Sequence, residues 1–552
     1  MSFTAPVSDQ RLTLNAVVGI GDLEGGPDAE MVDAVLEGAA ALAEGEFAPL
    51  ASVGDTVGAR WDNGNVTMPP GYKAAWQSFV EGGWMTLAAP EEVGGQGLPH
   101  AMSAALMDNL NAANLGFALC PMLSMGAIEA IGEHGSDELK RDYLPKIVSG
   151  EWPATMNLTE PAAGSDVGAL KTKAEPVGDG SWKIKGTKIF ITYGEHDLSD
   201  QIIHLVLART AGAPEGTRGI SLFLVPKLMP DGSANDVRCV SIEHKLGIHA
   251  SPTCVMSYGD HDGAIGWLVG PEMGGMAAMF TMMNNARLNV GLQGVGIAER
   301  ATQRAVAYAL ERKQGLRNRL PVPIAEHPDV RRMLLRMRTL TMGARALVYY
   351  SFGQLDRAAR GDGAAGLRAE VLTPLAKAWG TDVGCEVASL GIQVHGGMGY
   401  IEETGAAQHL RDARIAPIYE GTNGIQAADL VGRKLGLDGG LAFDGLIADV
   451  RAETQDARLV ALADAVEVAA TTLRESAPDD RLAGSYPFLT MTSVMVAGWL
   501  VERMARSEGA DARSKAAANF FLATIVPEAL GLGAAAEAGA ALLYEVPAEA
   551  LA

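Results

Sequence analysis

The chain has 552 residues, of which 48% are hydrophobic, and its formal net charge is -22. This length and apolar content exclude an intrinsically disordered chain and predict two to four domains, each with its own core. The negative charge disfavours nucleic acid and anionic membranes as partners, because binding to either requires a basic patch that the sequence does not supply.

The cysteines and the apolar segments restrict the compartment. Cys120, Cys239, Cys254 and Cys385 are far apart and form no C-x-x-C pair, which disfavours a zinc site or a disulfide framework and favours a reducing, cytoplasmic setting. The N-terminal MSFTAPVSDQRL lacks the pattern of a secretory signal. The apolar stretch MTSVMVAGWLV is too short to span a bilayer, and the Ala-rich stretch after residue 516 should be broken by Pro527, so we expect no stable membrane insertion.

The pattern of apolar residues predicts four domains. Residues 1–150 show helical spacing, as in MVDAVLEGAAALAEGEF, and residues 151–270 contain β-rich runs such as QIIHLVLART and GISLFLVPKL. Residues 271–438 are helical again. The Gly-rich GLDGGLAFDG then separates an additional helical domain, residues 439–552.

Two stretches of the β-rich region have the residues of a ligand site. MNLTEPAAGSDVGALKTKA, from Met156, bends tightly and can direct backbone N–H groups and the hydroxyls of Thr159 and Ser165 at one ligand. The alternative is a helix start at Ser165. In KIFITYG, strand alternation predicts that Phe190 and Thr192 share a face, where the ring could cover a flat heteroaromatic ligand. The alternative is an ordinary core strand.

Two further stretches lie in the second helical region. QVHGGMGYIEE contains three glycines that permit close backbone approach, but it is not G-x-G-x-x-G and follows no βα unit, which disfavours a Rossmann site. We expect His395 within it to pack or to bind backbone. RIAPIYEGTNGIQ places Glu420 between a tyrosine and a Gly-Thr-Asn-Gly run, where a solvated surface carboxylate is the simple alternative.

Taken together, LTEPAAGSD, KIFITYG, ERKQ, QVHGGMGY and IYEGTNGIQ resemble the acyl-CoA dehydrogenase family, over about residues 30 to 435. The resemblance implies an α+β fold with an N-terminal helical domain, a middle β domain and a C-terminal four-helix domain. Here the additional helical domain follows these three.

The resemblance also implies an FAD-dependent reaction in which a glutamate removes the α-proton of an acyl-CoA and the β-hydride passes to flavin N5. The implied base is Glu420, and burial would raise its pKa by up to ~3 units. Its backbone N–H and a ribityl hydroxyl would form an oxyanion hole, which contributes about 3 kcal/mol per donor. Some branches carry the base on a helix just before an arginine, but here that position is Ala286.

Further contacts follow from the same resemblance, and they imply at least a homodimer. Within one subunit, the residues implied to bind FAD are Met156, Leu158, Thr159, Ser165, Phe190, Thr192, Thr422 and Gly424. Those implied to reach the FAD of a neighbouring subunit are Arg312, Gln314, Gln393 and Gly397. Those implied to contact the acyl-CoA are Ser165, Asn284, Arg287 and Gly421. The segment ERKQGLRNRL lacks the usual Phe-Gly after the glutamine, so part of the contact between subunits should differ.

The ends of the chain resemble a long bacterial branch of the family that includes enzymes acting on 3-methylmercaptopropionyl-CoA. We therefore expect that substrate and electron-transfer flavoprotein as acceptor. Short-, medium- and long-chain fatty acyl-CoAs stay open, as do an acyl-CoA oxidase and a non-catalytic acyl-CoA-binding scaffold. The methionines from Met276 to Met283 suit a thioether but equally fill cores.

Overall fold

The computed structural model describes residues 3–552, which divide into two compact units. One unit comprises the residues up to 40, 99–112 and 287–552, and the other comprises 41–98 and 113–286. The predicted order of helices, strands and helices is confirmed, and so is the helical C-terminal extension. The four-domain boundaries stay a prediction.

Six α-helices precede the main sheet. They are α1 Val7–Thr13, α2 Ala29–Leu42, α3 Ala51–Val57, α4 Tyr72–Glu81, α5 His100–His134 and α6 Asp137–Val148. A short hairpin, β1 Arg60–Asp62 and β2 Asn65–Thr67, lies between α3 and α4. The long α5 is interrupted at Asn114, whose side-chain Oδ1 accepts a bond of 3.3 Å from the N–H of Phe117 and so caps the second half of the helix.

The main sheet has eight strands. They are β3 Ala154–Asn157, β4 Lys173–Pro176, β5 Trp182–Thr192, β6 Ile203–Thr210, β7 Ile220–Pro226, β8 Val237–Ile242, β9 Thr253–Tyr258 and β10 Ala264–Leu268. The strand order is β10-β7-β6-β4-β5-β9-β8, with β3 parallel to β6, and β10 also pairs with β5, so five strands close on themselves. Every residue of β7 is buried, and nearly all of β6, because both faces of these strands are covered.

Strand β5 contains a bulge that the sequence did not predict. The pairing register with β9 shifts between Lys188 and Ile191, and Phe190 has a left-handed backbone with φ of 60°. Its aromatic side chain is 58% exposed. The prediction of regular alternation through Phe190 and Thr192 is therefore wrong, because a bulge inserts an extra residue on one strand.

The second helical region is continuous with the extension. Its elements are α7 Gly275–Glu311, the hairpin β11 Lys313–Arg317 and β12 Leu320–Pro323, α8 Pro328–Ala359, α9 Gly363–His395, α10 Ala406–Ala413 and α11 Asn423–Gly432. The extension contains α12 Leu441–Glu453, α13 Ala457–Glu475, α14 Pro478–Ala483, α15 Ser485–Arg506, α16 Ala512–Phe520, α17 Val526–Leu530 and α18 Gly533–Ala536. Helices α8 and α9 pack along each other, and α15 packs against α8 and α11.

Pro527 does not break the Ala-rich stretch as predicted. The helix widens into a π-helical turn at Phe521–Ile525 and then continues as α17, in which Pro527 occupies the second position. A wider turn before the proline relieves the clash that its ring makes in a regular α-helix. Here Pro527 is accommodated without ending the helix.

Two helical segments are long and apolar enough to cross a bilayer, namely His100–His134 and Ala512–Ala536. In the most apolar 18-residue stretch of the first segment, 83% is buried inside the protein, and in that of the second segment 39% is buried. Length and composition alone do not separate a membrane span from a packed core helix, so the burial of the first segment favours a core role.

A buried charge network joins the helices of the first unit. Arg345 on α8, 1% exposed, contacts Asp108 on α5 at 2.7 Å and Glu299 on α7 at 3.1 Å. Asp108 also accepts a bond of 3.0 Å from the hydroxyl of Tyr349. The neighbouring arginines hold the pKa of Glu299 at about 2 against the effect of its burial. Three helices are thus held in register by ionised groups.

Candidate active site

The candidate base lies in a turn between α10 and α11. Glu420 and Gly421 both have left-handed backbones, with φ of 55° and 82°. The next residue, Thr422, is the N-cap of α11, and its hydroxyl accepts a bond of 3.1 Å from the N–H of Ile425. A left-handed backbone is uncommon for a residue with a side chain and is maintained only when the surroundings enforce it. The turn therefore fixes the direction of the Glu420 carboxylate.

Gly421 is required by this turn for two reasons. Its φ of 82° is unfavourable for any residue with a Cβ, and a Cβ built there would lie 2.7 Å from Nε2 of Gln426. That amide nitrogen donates to the carbonyl of Gly421 at 3.3 Å. Glycine at this position keeps the turn closed, which is a different role from the substrate contact implied by the resemblance.

The electrostatic setting of Glu420 differs from that of a surface carboxylate. Part of its side chain reaches solvent, yet the surrounding protein desolvates the carboxylate enough to raise its pKa to about 7. Arg287 and Lys377 oppose this rise with their positive charges. Burial lowers the pKa of Lys377 to about 7 as well, and Glu420 and Asp382 oppose that change. The sequence predicted the direction of the Glu420 shift but not Lys377.

Tyr419, the residue before the base, is tied to α7. Its hydroxyl donates to Oε1 of Gln293, a residue that is fully buried. Burial, with the Glu420 charge, raises the pKa of Tyr419. The tyrosine thus stays a neutral neighbour of the base and anchors the turn from its other side.

The other compact unit contains six of the residues implied to bind FAD, of which Ser165 is described below. Met156 is buried in β3, whereas Leu158, Thr159 and Thr192 are partly exposed and Phe190 is exposed. The two segments touch, because the N–H of Ile189 donates to the carbonyl of Thr159 at 2.9 Å. The structure therefore brings together an aromatic ring, an aliphatic side chain and hydroxyls.

A buried ion pair supports this second cluster, and no pattern in the sequence indicates it. Lys188 is fully buried and contacts Glu160 at 2.8 Å, and its Nζ also donates to the carbonyl of Leu158 at 3.0 Å. Glu160 accepts bonds from the N–H groups of Lys171 and Thr172, at 2.6 and 3.1 Å. The charge of Lys188 and these bonds keep the pKa of Glu160 below its ordinary value despite burial. The pair fixes the backbone at Leu158 and Thr159.

The remaining predicted residues lie on exposed surfaces or at a helix start. Ser165 is exposed in the loop before a 3-10 helix, Val167–Ala169, whose N-cap position is Asp166. The alternative prediction of a helix start at this point therefore agrees with the structure, although the helix is one short 3-10 turn and no side chain caps it. The exposed residues are Asn284 on α7, Arg312 after it, Gln314 on β11, Gln393 at the end of α9, Gly397 in the following 3-10 turn and Gly424 in the first turn of α11. Ala286 is buried.

The expectation for His395 is confirmed. Its ring is buried, Nδ1 lies 2.7 Å from the carbonyl of Gly391, and the ring stacks on Tyr308 with 4.4 Å between centroids. Burial lowers the pKa of His395. It is a packing residue that binds backbone.

Three sequence profiles of one family cover most of the chain. They are described as acyl-CoA dehydrogenase N-terminal domain, matching residues 30–151, middle domain, matching 155–260, and C-terminal domain, matching 273–435. A profile described as acetyl-CoA dehydrogenase C-terminal like matches residues 444–547, in the extension. The chain belongs to the acyl-CoA dehydrogenase family.

Individual relatives agree with this assignment. The 3-methylmercaptopropionyl-CoA dehydrogenase of Ruegeria pomeroyi is 48% identical over 87% of this chain and 86% of its own. The broad-specificity linear acyl-CoA dehydrogenase FadE5 of Mycobacterium tuberculosis is 33% identical over 91% of this chain and 90% of its own. The structure of ACDH-11 of Caenorhabditis elegans in complex with C11-CoA has a TM-score of 0.79 at 22% identity, covering 94% of this chain and 90% of that one, and shows the same fold.

Membership makes the protein an FAD-dependent oxidoreductase that acts on acyl-CoA. The second cluster fits that cofactor. Phe190 is held in an exposed position by a left-handed backbone, beside the partly exposed Leu158 and Thr159. An aromatic face with neighbouring hydroxyls suits a flat ring with polar edges.

Proposed function

We propose that Glu420 is the base that removes the α-proton of the acyl-CoA thioester. The observation that supports this role is the pKa of about 7 for a carboxylate that two cations flank. A carboxylate of ordinary pKa is too weak a base for a proton beside a thioester, and desolvation strengthens it. The left-handed turn holds it in one direction, which lowers the entropy lost on reaching the reacting geometry.

The backbone N–H of Glu420 supports an oxyanion role as well. Within residues 3–552 it donates to no backbone or side-chain acceptor. A fixed donor of this kind can stabilise the enolate oxygen that forms when the α-proton leaves, a contribution of about 3 kcal/mol. One residue would then supply both the base and a donor.

The FAD site involves Leu158, Thr159, Phe190 and Thr192. These residues would hold FAD, which would supply the acceptor for the hydride of the β-carbon. The task of the protein is to hold the ring, and the ion pair of Lys188 with Glu160 does so indirectly, since it fixes the carbonyl of Leu158. Phe190 would cover one face of the ring and exclude water from it.

We further propose 3-methylmercaptopropionyl-CoA as the substrate. The support is the 48% identity to a relative named for that substrate, over most of both chains. The second candidate is a set of linear acyl-CoAs, supported by the relative of broad specificity at 33% identity. Soft methionines at Met279 and Met282, both buried on α7, are compatible with either acyl group.

The test is anaerobic reduction of the bound flavin by a panel of acyl-CoAs. We expect 3-methylmercaptopropionyl-CoA to bleach the flavin with a higher kcat/KM than butyryl-CoA or octanoyl-CoA. A higher value for either straight-chain substrate would overturn the substrate assignment. The reduced flavin is then exposed either to air or to electron-transfer flavoprotein. A dehydrogenase is expected to be reoxidised slowly by oxygen and fast by electron-transfer flavoprotein. Fast reoxidation by oxygen would indicate an oxidase.

The rate of flavin reduction should depend on pH through Glu420. Only the carboxylate form accepts a proton, so kcat/KM is expected to fall about tenfold per pH unit well below 7 and to level off above it. Because Lys377 titrates in the same range and its positive charge favours the carboxylate, the rise should extend over more than one unit. Stopped-flow reduction between pH 5 and about 9 measures this profile. A midpoint near 4, that of an ordinary carboxylate, would contradict it.

We also propose a cytoplasmic homodimer. Support for the dimer comes from the hairpin of β11 and β12, in which every residue of β11 is exposed and Leu316 and Leu320 are 65% and 67% exposed. Apolar side chains on a projecting hairpin are typical of an interface between subunits. Support for the compartment comes from the four cysteines, all of which are free thiols.

A further inference from the structure

The C-terminal extension lies against the helix that follows the base. Helix α11 begins at Asn423, three residues after Glu420, and it packs against α14 and α15 of the extension. All of these elements belong to the same compact unit. The extension is therefore in a position to act on the catalytic turn.

Asn423 connects the turn to α9. Its side chain is 3% exposed. The two hydrogens of Nδ2 are shared among three acceptors, namely the carbonyl oxygen of Ala378 at 3.1 Å, Oγ1 of Thr381 at 3.0 Å and Oδ1 of Asp382 at 2.9 Å. Its Oδ1 accepts a bond of 2.9 Å from Nζ of Lys377. The carbonyl oxygen of Ala378 can only accept, which fixes the orientation of the amide. The backbone N–H of Asn423 donates back to the carbonyl of Pro417 at 2.9 Å, across the turn that contains Glu420.

Asp382 connects this arrangement to the extension. One carboxylate oxygen accepts from Asn423, and the other accepts a bond of 2.7 Å from the hydroxyl of Tyr486, on α15. Burial raises the pKa of Asp382, whereas the bonds from Tyr486 and Asn423 and the charge of Lys377 lower it. The Tyr486 hydroxyl thus helps to keep Asp382 an ionised acceptor for Asn423.

The turn needs such support because its geometry is unfavourable. Glu420 and Gly421 are consecutive residues with left-handed backbones, and a strained segment relaxes unless its neighbours hold it. We propose that Tyr486 is a positioning residue for Glu420, acting through Asp382 and Asn423, so that the C-terminal extension is a functional part of the active site. This inference rests on the proposed role of Glu420 as the base.

The test is Tyr486→Phe in the full-length enzyme with bound FAD, a change that removes only the hydroxyl. We expect the rate of flavin reduction per bound flavin to fall about tenfold, with KM unchanged. The midpoint of the pH profile should move to higher pH. Without the hydroxyl the pKa of Asp382 rises, so Asp382 carries less negative charge and stabilises the protonated form of Lys377 less. The weaker positive charge on Lys377 then raises the pKa of Glu420. A merely structural role would change neither the rate per bound flavin nor this midpoint.

Two controls make the result decisive. Tyr544→Phe changes a tyrosine of the same extension that is 72% exposed, and it should leave rate and midpoint unchanged. Asp382→Asn should itself slow reduction, and adding Tyr486→Phe to it should cause little further loss, because the two groups act through one bond. The inference is overturned if the flavin of Tyr486→Phe is reduced within twofold of the wild-type rate with an unchanged pH midpoint. It is also overturned if the loss of rate in the double variant equals the product of the losses in Asp382→Asn and Tyr486→Phe. Neither result affects the role of Glu420, which fails only if Glu420→Gln stays active.

Discussion

Replacement of Glu420 by glutamine is expected to slow flavin reduction by an acyl-CoA about 10⁴-fold, at the upper end of what a general base contributes. Glutamine keeps the size and the planar end of the side chain but cannot accept the α-proton. Arg287 and Lys377 are the charged groups that act on Glu420, and neither can accept the α-proton while it is protonated. Stopped-flow absorbance of the flavin under anaerobic conditions measures the rate.

The control variant is Glu475→Gln, which changes an exposed glutamate at the end of α13 and should reduce at the wild-type rate. FAD content and acyl-CoA affinity of Glu420→Gln should stay within about threefold of wild type, since only the proton acceptor is lost. A reduction rate within tenfold of wild type would show that another group removes the proton, and the proposed role of Glu420 would have to be abandoned.

Replacement of Lys188 by methionine should have the largest effect on stability and on FAD retention. The change leaves the Glu160 carboxylate buried without its cation, a loss of about 3–5 kcal/mol. In a unit of this size such a loss lowers the unfolding temperature by roughly 10 °C. Because the carbonyl of Leu158 also loses its donor, FAD should dissociate more readily. Calorimetry and the flavin absorbance retained after gel filtration measure the two effects.

Two further variants separate the buried charge from other causes. Lys185→Met, on the same strand but exposed, should behave like wild type. The double variant Lys188→Met with Glu160→Gln should recover part of the stability, because it removes the buried charge. The single carbonyl oxygen of glutamine still accepts one of the two bonds that the N–H groups of Lys171 and Thr172 donate to separate oxygens of Glu160. Equal stability of the single and double variants would argue that the ion pair does not determine the effect.

The sequence predicted the elements that repeat a simple pattern. Apolar spacing located the helical and β-rich regions and the extension, since those patterns reflect which faces are buried. The family resemblance, and not the local pattern around Glu420, implied that this residue is the base and that burial raises its pKa, and the structure has a shift in that direction. The five motifs placed the chain in its family before any geometry was known.

The rest depends on contacts between distant residues or on backbone angles. Phe190 sits on a bulge with a left-handed backbone, and nothing in KIFITYG distinguishes it from a regular strand. Lys377 lies 43 positions before Glu420 in the sequence and Tyr486 lies 66 positions after it. Only the fold brings these two residues near the turn. Pro527 was expected to end a helix, yet a π-helical turn accommodates it. Contacts between distant residues and a local π-helical turn produce no periodic pattern of apolar residues in the sequence.

The charge network around Arg345 restricts how this sequence can diverge. Asp108 and Glu299 are both buried, so loss of Arg345 alone would leave Asp108 without a cation and Glu299 with Arg338 only, whereas joint replacement by apolar residues of similar volume can be neutral. A single substitution in this network is therefore expected to destabilise the protein. Across relatives, positions 108, 299 and 345 are expected to covary as a set, either all retained or all exchanged together.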